Sequence, residues 1–517
     1  MTRRTTRAVL AGLALLILAM LVSPSSARAA CSSPAGGAGD IVYNGTQKLF
    51  QYCNGTDWTR MNLSPGSGAG GCVLPSGTVP EGQLIYHMDH RVLSGCAGNV
   101  ERAMSAAGGK FGWKQVSVGS SHTCGIKSDD SLWCWGDNSG GQLGDNSTTE
   151  RLVPTAVNGG GTWKQVSVQA STSCGIKSDD SLWCWGRNNV GRVGDNSTTD
   201  RLVPTAVSGG GTWKQVSTSC GIKSDDSLWC WGLNSDGQLG DNSTTTRLVP
   251  TAVNGGGTWK QVSTGDIYAC AIKSDNTLYC WGDNLYGQLG DNSTTDRLVP
   301  TAVSGGGSWK QVATSEQYSG HTCAIKSDDT LRCWGFNSSG QLGDNSTTNR
   351  LVPTAVSGGG SWKQVSAGNV FSCGIKADDT SRCWGSNADG QTGLNTVTGN
   401  TLIPTSIFGG GSWKQMAVSY SHTCAIKSDD SLWCWGSNAN GKLGDNSAAQ
   451  RFVPTVIYGG GTWKQLSTTR DSTCAVKTDD NLYCWGFNSS GQLGDNSTTD
   501  RLVPTAVSGG GSWKQVS

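Results

Sequence analysis

The tripeptide Trp-Lys-Gln recurs along the chain at a nearly constant interval, and this periodicity constrains the fold more than any other feature. It begins at Trp113, Trp163, Trp213, Trp259, Trp309, Trp362, Trp413, Trp463 and Trp513. The successive intervals are 50, 50, 46, 50, 53, 51, 50 and 50 residues. Eight units therefore repeat in tandem, and a ninth begins close to Ser517. Such a period indicates supersecondary units that bury their cores against one another.

Each unit contains four short runs of β-forming residues. In the first unit these runs read WKQVSV, TCGIK, SLWCWG and LVPTAV, and segments rich in Gly, Asn, Asp and Ser separate them. Runs of this length and composition between turn residues are typical of strands. The array shows no helical periodicity, and its 75 glycines suit a loop-rich β protein. The pattern predicts an all-β propeller of four-stranded blades.

The repeat also resembles a known family. The segment CAIKSDDSLWCWGSNANGKLGDNS, from Cys424 to Ser447, is similar to the repeat of the regulator of chromosome condensation family, and the resemblance covers residues 113–517. It implies a ring-shaped propeller, usually of seven blades. Eight copies leave seven or eight blades open. Joining the last three runs of each unit to the following WKQ run gives eight complete blades and leaves the Trp113 run over. Whether the chain is a fragment of a longer array also stays open.

Function does not follow from this resemblance. The nuclear member of the family acts on a small GTPase and chromatin. The near-neutral charge of this chain and the export signal described below imply neither activity. Secreted bacterial propellers of the family, which include a β-lactamase inhibitor, are the nearer comparison.

Two cysteines ten positions apart occur in every unit. The pairs are Cys124 and Cys134, Cys174 and Cys184, Cys220 and Cys230, Cys270 and Cys280, Cys323 and Cys333, Cys373 and Cys383, Cys424 and Cys434, and Cys474 and Cys484. Folding one pair as a hairpin places its cysteines opposite each other, at a separation that suits a disulfide. Buried free thiols are the first alternative. A metal or redox site fits poorly, because no unit supplies four ligands or a C-x-x-C motif.

The N-terminal segment predicts export. Residues 1–30 combine a basic start, an apolar run from Ala8 to Val22 and a small-residue cleavage site, as in a signal peptide. A lipid anchor at Cys31 is the alternative. Residues 31–106 form a degenerate tandem module in which we expect bridges Cys31–Cys53 and Cys72–Cys96, although four cysteines allow three pairings. Residues 107–517 are the predicted propeller. We expect a secreted, periplasmic or cell-surface protein, where disulfides persist.

Charge and motifs narrow the function further. The formal net charge of +1 gives no case for a nucleic-acid partner, and no apolar run after residue 30 predicts a membrane span. The sequence holds no phosphate loop, nucleophile elbow or H-E-x-x-H motif. The DNSTTD loops lack the spaced acidic ligands of a calcium loop. We therefore expect neither an enzyme nor a cofactor or metal site.

Positions that differ between units are where a ligand could be recognised. One such zone precedes the first cysteine of each unit, where the Trp-to-Cys spacing of 11 becomes 7 in the third unit and 14 in the fifth. The other zone follows CWG. The candidate partner-binding residues in these zones are Tyr268, Tyr318, Phe371, Tyr420, Arg470, Tyr286 and Phe336. Aromatic and Arg anchors are typical of protein interfaces. We expect a protein-binding scaffold that uses these loops, with cell-surface carbohydrate binding as the alternative. Free drift of ordinary loop residues remains open.

Overall fold

The computed structural model describes residues 112–508 except 170, 218, 316–319 and 397–398, together with the backbone of strands within residues 30–103 and of Ser512–Trp513. Side chains are described from Trp113 to Ser508, outside those gaps. The signal-peptide prediction and the bridges Cys31–Cys53 and Cys72–Cys96 lie outside the described residues. The chain divides into two compact units, residues 1–109 and 110–517.

The first unit has the same order of sheets in its two halves, a two-stranded sheet followed by a three-stranded one, all antiparallel. Its strands are Ala30–Ser32, Ala35–Gly37, Ile41–Asn44, Leu49–Cys53, Trp58–Arg60, Cys72–Leu74, Gly77–Val79, Leu84–His87, Val92–Ala97 and Val100–Ala103.

The second unit is a propeller of eight four-stranded antiparallel blades, so the eight-bladed alternative is the one found. Blades 1 to 8 begin with the first strands Gly112–Val118, Trp163–Gln169, Trp213–Val216, Trp259–Thr264, Trp309–Thr314, Trp362–Ala367, Trp413–Val418 and Trp463–Thr468. The second strands are His122–Lys127, Thr172–Lys177, Cys220–Lys223, Tyr268–Lys273, His321–Lys326, Phe371–Lys376, His422–Lys427 and Ser472–Lys477.

The outer half of each blade completes the sheet. The third strands are Leu132–Gly136, Leu182–Gly186, Leu228–Gly232, Leu278–Gly282, Leu331–Gly335, Ser381–Gly385, Leu432–Gly436 and Leu482–Gly486. The fourth strands are Arg151–Ala156, Arg201–Ala206, Arg247–Ala252, Arg297–Ala302, Arg350–Ala355, Thr401–Ser406, Arg451–Val456 and Arg501–Ala506. A short 3-10 turn, Ala439–Gly441, is the one helical element among the described residues, and no helix there could cross a membrane.

The predicted grouping of strands into blades was wrong by one strand. Each WKQ strand pairs with the cysteine-containing strand that follows it, so a blade starts with its own WKQ strand. The short connection between these two strands permits direct antiparallel pairing. The strand left over is therefore the ninth, Ser512–Trp513, which pairs in parallel with Gly112 and Trp113 of blade 1.

The hydrophobic core lies between neighbouring blades. Between blades 1 and 2, for example, the Cys124–Cys134 pair packs against Trp163 and Trp185. In every blade the WKQ and CWG tryptophans are almost completely buried, so they pack between and within the blades. The CWG indole also donates a hydrogen bond to a carbonyl of the preceding blade, as Trp185 does to Gln142 at 2.9 Å. Trp135 makes this bond to Gln492 of blade 8 at 3.1 Å, and the ring is closed.

The eight predicted cysteine pairs form disulfides. In each blade the two cysteines are directly opposed on the second and third strands, as with Cys124 and Cys134, and their Cα atoms are 4.1 Å apart. Every one of these side chains is buried between blades. The cysteines therefore brace the strands and leave no described thiol for chemistry.

Candidate functional site

The two sequence zones that differ between blades lie at the same end of the ring. Strands alternate in direction, so the connection from the first to the second strand and the residues that follow the third strand emerge together. We call this end, made of those two segments from all eight blades, the variable face. In seven blades a backbone hydrogen bond of 2.8–3.1 Å joins the two segments. The donor and acceptor pairs are Asp137 and Ser121, Arg187 and Ser171, Asp283 and Ile267, Phe336 and Gly320, Ser386 and Val370, Ser437 and Ser421, and Phe487 and Asp471.

Tyr268 and Phe371 are not available on this face, which corrects their prediction as candidate partner-binding residues. Both side chains are fully buried in the cores between blades. The Tyr268 hydroxyl donates a hydrogen bond to the carbonyl of His321 at 2.8 Å and accepts one from the amide of Ser315 at 3.2 Å. Burial raises the pKa of Tyr268 to about 12. Tyr318, another candidate partner-binding residue, lies outside the described residues.

The strand register explains why these two residues are buried. Tyr268 and Phe371 each lie two positions before the first cysteine of their blade, and side chains two apart on a strand point to the same side of the sheet. The cysteine faces the core, so its neighbour two positions away does too. His122, His321 and His422 occupy the same position in other blades and are also fully buried. Burial lowers the pKa of His321 to about 3, so its imidazole stays neutral.

A first apolar cluster, which is partly exposed, joins blades 4 and 5. The rings of Tyr286 and Phe336 are in contact, with centroids 4.7 Å apart and planes tilted by 56°. Leu285, beside Tyr286, is 63 % exposed, the highest value among the large hydrophobic residues of the described region. We call these three residues the blade 4–5 cluster. The equivalent positions in the first blade are Ser139, Gly140 and Asp137, and most other blades are also polar there, although the position of Phe336 is apolar in blades 3 and 8.

A second exposed cluster joins blades 7 and 8. The guanidinium of Arg470 lies over the ring of Tyr420, 4.7 Å from its centroid, and both side chains are exposed. Beneath them the buried ammonium of Lys442 donates to the carboxylate of Asp471 at 3.1 Å and to the carbonyl of Arg470 at 3.2 Å. Lys442 thus anchors the loop that carries Arg470. Burial, and then the charge of Lys442, holds the pKa of His422 well below its ordinary value.

A polar recess of about 80 Å³ lies on the variable face at blade 3. It is lined by Arg192 of blade 2, by Ser219, Leu233 and Gln238 of blade 3 and by Asp266 of blade 4. Burial raises the pKa of the Asp266 carboxyl, and the charge of Arg192 opposes that rise. Sequence reasoning missed Arg192, Gln238 and Asp266. The signals for them were the short Trp-to-Cys spacing of the third unit and the change from GQLG to GRVG in the second.

The DNSTT loops are internally bonded. In blade 5 the Asp344 carboxylate accepts hydrogen bonds from Asn337, Ser346 and Arg350. Burial alone would raise the pKa of Asp344, but the bonds from Arg350 and Ser346 hold it below its ordinary value. This carboxylate is therefore already committed to protein donors. Among the residues that the structure describes, no group of three or more His, Cys, Asp or Glu is placed to hold a metal ion.

The central channel is built from the first strands. At blades 4 to 7 these strands line a cavity of about 600 Å³ with glutamine and lysine side chains, among them Gln311 and Lys363. The glutamines bond to the carbonyl of the next first strand, as Gln311 does to Val365 at 3.1 Å. Most of these lysines form an ion pair with an aspartate in the turn between the second and third strands of the same blade, as Lys363 does with Asp379. These bonds account for the recurring lysine and glutamine of the WKQ motif, whose side chains line the channel.

Comparisons with known proteins agree with this architecture. Human WBSCR16 matches with a TM-score of 0.52 and 18% identity over 73% of this chain and 94% of that chain. Prp20p from Saccharomyces cerevisiae matches with a TM-score of 0.52 and 19% identity over 73% of this chain and 85% of that chain. At these identities the likeness shows the fold alone.

Family models match the repeats themselves. One model of the regulator of chromosome condensation (RCC1) repeat matches residues 113–142, 163–192, 259–288, 362–391, 413–442 and 463–492. A second matches residues 129–176, 179–223, 225–272, 275–325, 328–375, 383–426, 429–476 and 479–517. The second covers well over half of the chain, and its eight matches recur at the spacing of the blades. The chain belongs to the regulator of chromosome condensation (RCC1) repeat family.

Proposed function

We propose that the chain is an exported, non-enzymatic scaffold that binds a protein partner on its variable face. The observation that carries this proposal is the pair of clusters there, in which Leu285, Tyr420 and Arg470 are exposed and Tyr286 and Phe336 are partly exposed, at positions where most other blades have polar residues. The blade 4–5 cluster and the Tyr420–Arg470 pair each join two neighbouring blades. Tyrosine and arginine are enriched among the residues that contribute most to protein–protein affinity.

Other members of this fold class give the proposal a precedent. Yeast Prp20, which shares the fold, has been crystallised with Kap60, and the binding of Prp20p to Gsp1p and histones has been examined. A propeller of this kind can therefore serve as a platform for proteins. The near-neutral charge of the present chain gives no electrostatic reason to expect those same partners.

The proposed site of action is outside the cytoplasm. The signal-like residues 1–30 and the eight disulfides both suit an oxidising compartment, because cytosolic thiols are kept reduced. The described histidines that precede the cysteines are buried and hydrogen-bonded, as His422 is to Thr473 at 3.0 Å. They are therefore poorly placed to meet a substrate, which favours binding over catalysis.

The geometry of the two clusters favours a protein over a carbohydrate. A sugar ring stacks best on an open aromatic face. The Arg470 guanidinium covers one face of Tyr420, and Tyr286 and Phe336 are tilted by 56° and do not form one flat platform. A protein side chain can pack into such a tilted pair. A glycan array with the wild-type chain tests the alternative, and specific glycan binding that is lost in the cluster variants would replace the proposal.

Residues found at the same positions in other blades supply the substitutions for the direct test. Leu285→Ser, Tyr286→Ser and Phe336→Ser introduce serines that sister blades carry at these positions, as Ser338, Ser339 and Ser386 show. Tyr420→Ser combined with Arg470→Ser removes the second cluster in the same way. A partner is first identified by an interaction screen with the wild-type chain. We expect its Kd to rise at least tenfold for one of these variants, which corresponds to about 1.4 kcal/mol.

A matched control lies at the opposite end of the ring. Phe408 and Tyr458 follow the fourth strands of blades 6 and 7, and both are exposed where other blades have Ser or Asn. Phe408→Ser with Tyr458→Ser removes the same kind of surface outside the variable face and should leave Kd unchanged. If both cluster variants bind as tightly as the wild type, the site assignment is wrong.

A further inference from the structure

Blade 3 lacks the tip of its first hairpin. In blade 1 the turn between the first two strands is closed by a bond from the Gly119 amide to the His122 carbonyl. In blade 3 the equivalent turn is closed by a hydrogen bond from the Ser217 amide to the Cys220 carbonyl, at 2.8 Å. The cysteine itself thus ends the turn, and four residues found in most other blades are absent. The recess at blade 3 occupies the place of the missing tip.

The missing tip leaves backbone surface uncovered. In blade 1 a Cβ added to Gly136 would lie 2.5 Å from the carbonyl oxygen of Ser121, which belongs to the tip. At the equivalent Gly232 the nearest atom is the Cγ of Arg192, at 3.4 Å, from the neighbouring blade. The amide that follows this glycine bonds to the tip in the other seven blades. In blade 3 it belongs to Leu233 and has no hydrogen-bond partner among the described residues.

A second donor in the recess is also unpaired. In blade 1 the Nε2 of Gln142 donates to the Asp137 carboxylate at 2.6 Å. Blade 3 has Leu233 in place of that aspartate, so the side chain cannot accept a hydrogen bond. Gln238 is only 9 % exposed, lines the recess, and its Nε2 has no partner. A buried polar group without a partner is destabilising, so an acceptor from a ligand would be favourable.

Size and chemistry indicate the class of ligand. The volume of about 80 Å³ is far below the roughly 300–1,000 Å³ of small-molecule pockets and suits one peptide unit with a small side chain. The Leu233 amide and the Gln238 carboxamide both offer hydrogens, and the Arg192 guanidinium adds further donors at the wall. The Leu233 amide and the Gln238 Nε2 are the two donors left unpaired, and the Asp266 carboxylate supplies an acceptor at the wall. In the other seven blades a backbone carbonyl of the tip pairs with the amide equivalent to that of Leu233.

We propose that the blade 3 recess is a peptide-binding notch, in which a partner's extended segment inserts a backbone carbonyl where the missing hairpin tip would have placed one. This inference rests on the proposed function, because it names one contact that a protein partner would make. It adds a polar recognition point to the two clusters. The segment that enters needs a small side chain, because the recess has a volume of only about 80 Å³.

The test uses a variant that fills the recess with the chain's own sequence. Residues 217–219 are replaced by the seven residues Ser117–Thr123 of blade 1, which restores the tip. Phage-displayed random heptapeptides are selected on the full-length wild-type chain after depletion on this filled variant. We expect enriched peptides that bind the filled variant at least tenfold more weakly. Circular dichroism and thermal unfolding show whether the filled variant keeps the fold.

A point variant makes the test independent of the insertion. Leu233→Asp supplies Gln238 with the acceptor that Asp137 provides in blade 1, so the peptides should bind at least tenfold more weakly. Phe487→Asp makes a similar exchange in blade 8, away from the recess, and should leave binding unchanged. The Leu233 amide should exchange with deuterium more slowly when peptide is bound.

The outcomes separate this inference from the proposed function. No enrichment over the filled variant, or equal binding to Leu233→Asp and wild type, would overturn the notch. A partner that binds the filled variant normally but is lost by the cluster variants would overturn the notch alone. Notch-dependent peptides would support the inference even if the cluster variants had no effect on the partner.

Discussion

The Asp344–Arg350 pair of blade 5 allows a quantitative test of how the DNSTT loops stabilise the propeller. The Asp344 side chain is 3 % exposed, and Arg350 is 36 % exposed. Asp344 accepts from the Ser346 amide at 3.2 Å, the Ser346 hydroxyl at 2.8 Å, Asn337 at 3.2 Å and the Arg350 Nε. Blade 6 has Leu394 and Thr401 at these two positions, so the chain itself provides the replacements.

The expected free-energy changes follow from these contacts. Asp344→Leu removes four hydrogen bonds, each worth about 1 kcal/mol net. Burial of the leucine returns about 2 kcal/mol, so the free energy of unfolding should fall by about 2 kcal/mol. Asn337 keeps the carbonyls of Ser346 and Thr348 as acceptors, which limits the loss. Arg350→Thr leaves the buried carboxylate without its cation and should cost about 3 kcal/mol, since removing one partner of a buried pair costs roughly 3–5.

The double variant should cost little more than Asp344→Leu alone. Once Asp344 is leucine, the half-exposed Arg350 is hydrated and its removal costs little, so we expect a coupling energy of about 3 kcal/mol, at the upper end of the range for residues in contact. Urea unfolding followed by tryptophan fluorescence measures all four proteins. Thr347→Val, which introduces the residue of blade 6 at an exposed loop position without a side-chain bond, is the control and should change little. Additive losses, with coupling below about 0.5 kcal/mol, would refute the account.

Three further predictions concern the fold and its electrostatics. Cys373→Ala with Cys383→Ala should lower the free energy of unfolding by about 2.7 kcal/mol in the chain-entropy model, and an unchanged melting temperature by calorimetry would contradict a bracing role for the bridge. Lys442→Gln removes the charge beside His422, so the pKa of His422 should rise while burial keeps it below its ordinary value; an NMR titration that shows no rise would exclude this coupling. Stability should fall as the pH drops below 3.8, the ordinary carboxyl value, because five loop aspartates have lower pKa values in the folded state. Their stabilisation is complete above 3.8 and is lost as the pH falls through those lower values, so unfolding free energies that stay constant down to pH 2 would contradict it. These aspartates are Asp145, Asp195, Asp241, Asp291 and Asp344.

The candidate site was only partly predictable. The sequence analysis assigned Tyr268, Phe371 and Tyr420 to one zone because all three precede the first cysteine of their unit. The register separates them: Tyr268 and Phe371 lie two positions before it on a strand, and Tyr420 lies four before it in the connection. Side-chain alternation along a strand, applied to each position, would have predicted the first two as buried.

Contacts between blades were beyond the reach of the sequence. Arg192 and Asp266 are 74 positions apart and belong to blades 2 and 4, and they line one recess because the hairpin of blade 3 between them is short. The short Trp-to-Cys spacing of 7 in the third unit was visible in the sequence, but the recess that it opens between the blades was not. A deletion exposes whatever the neighbouring blades place beside it, and that depends on the packing of the ring.

The sequence by itself determined the repeating unit, its four strands and the pairing of its cysteines. These features depend on local periodicity and on short connections, so each unit of about 50 residues carries the information within itself. Only the tertiary structure decided that eight blades close the ring, that each blade begins with its own WKQ strand, and which loop residues reach solvent. Ring closure and exposure depend on how each blade packs against the next, and this packing brings together residues that are distant in the sequence.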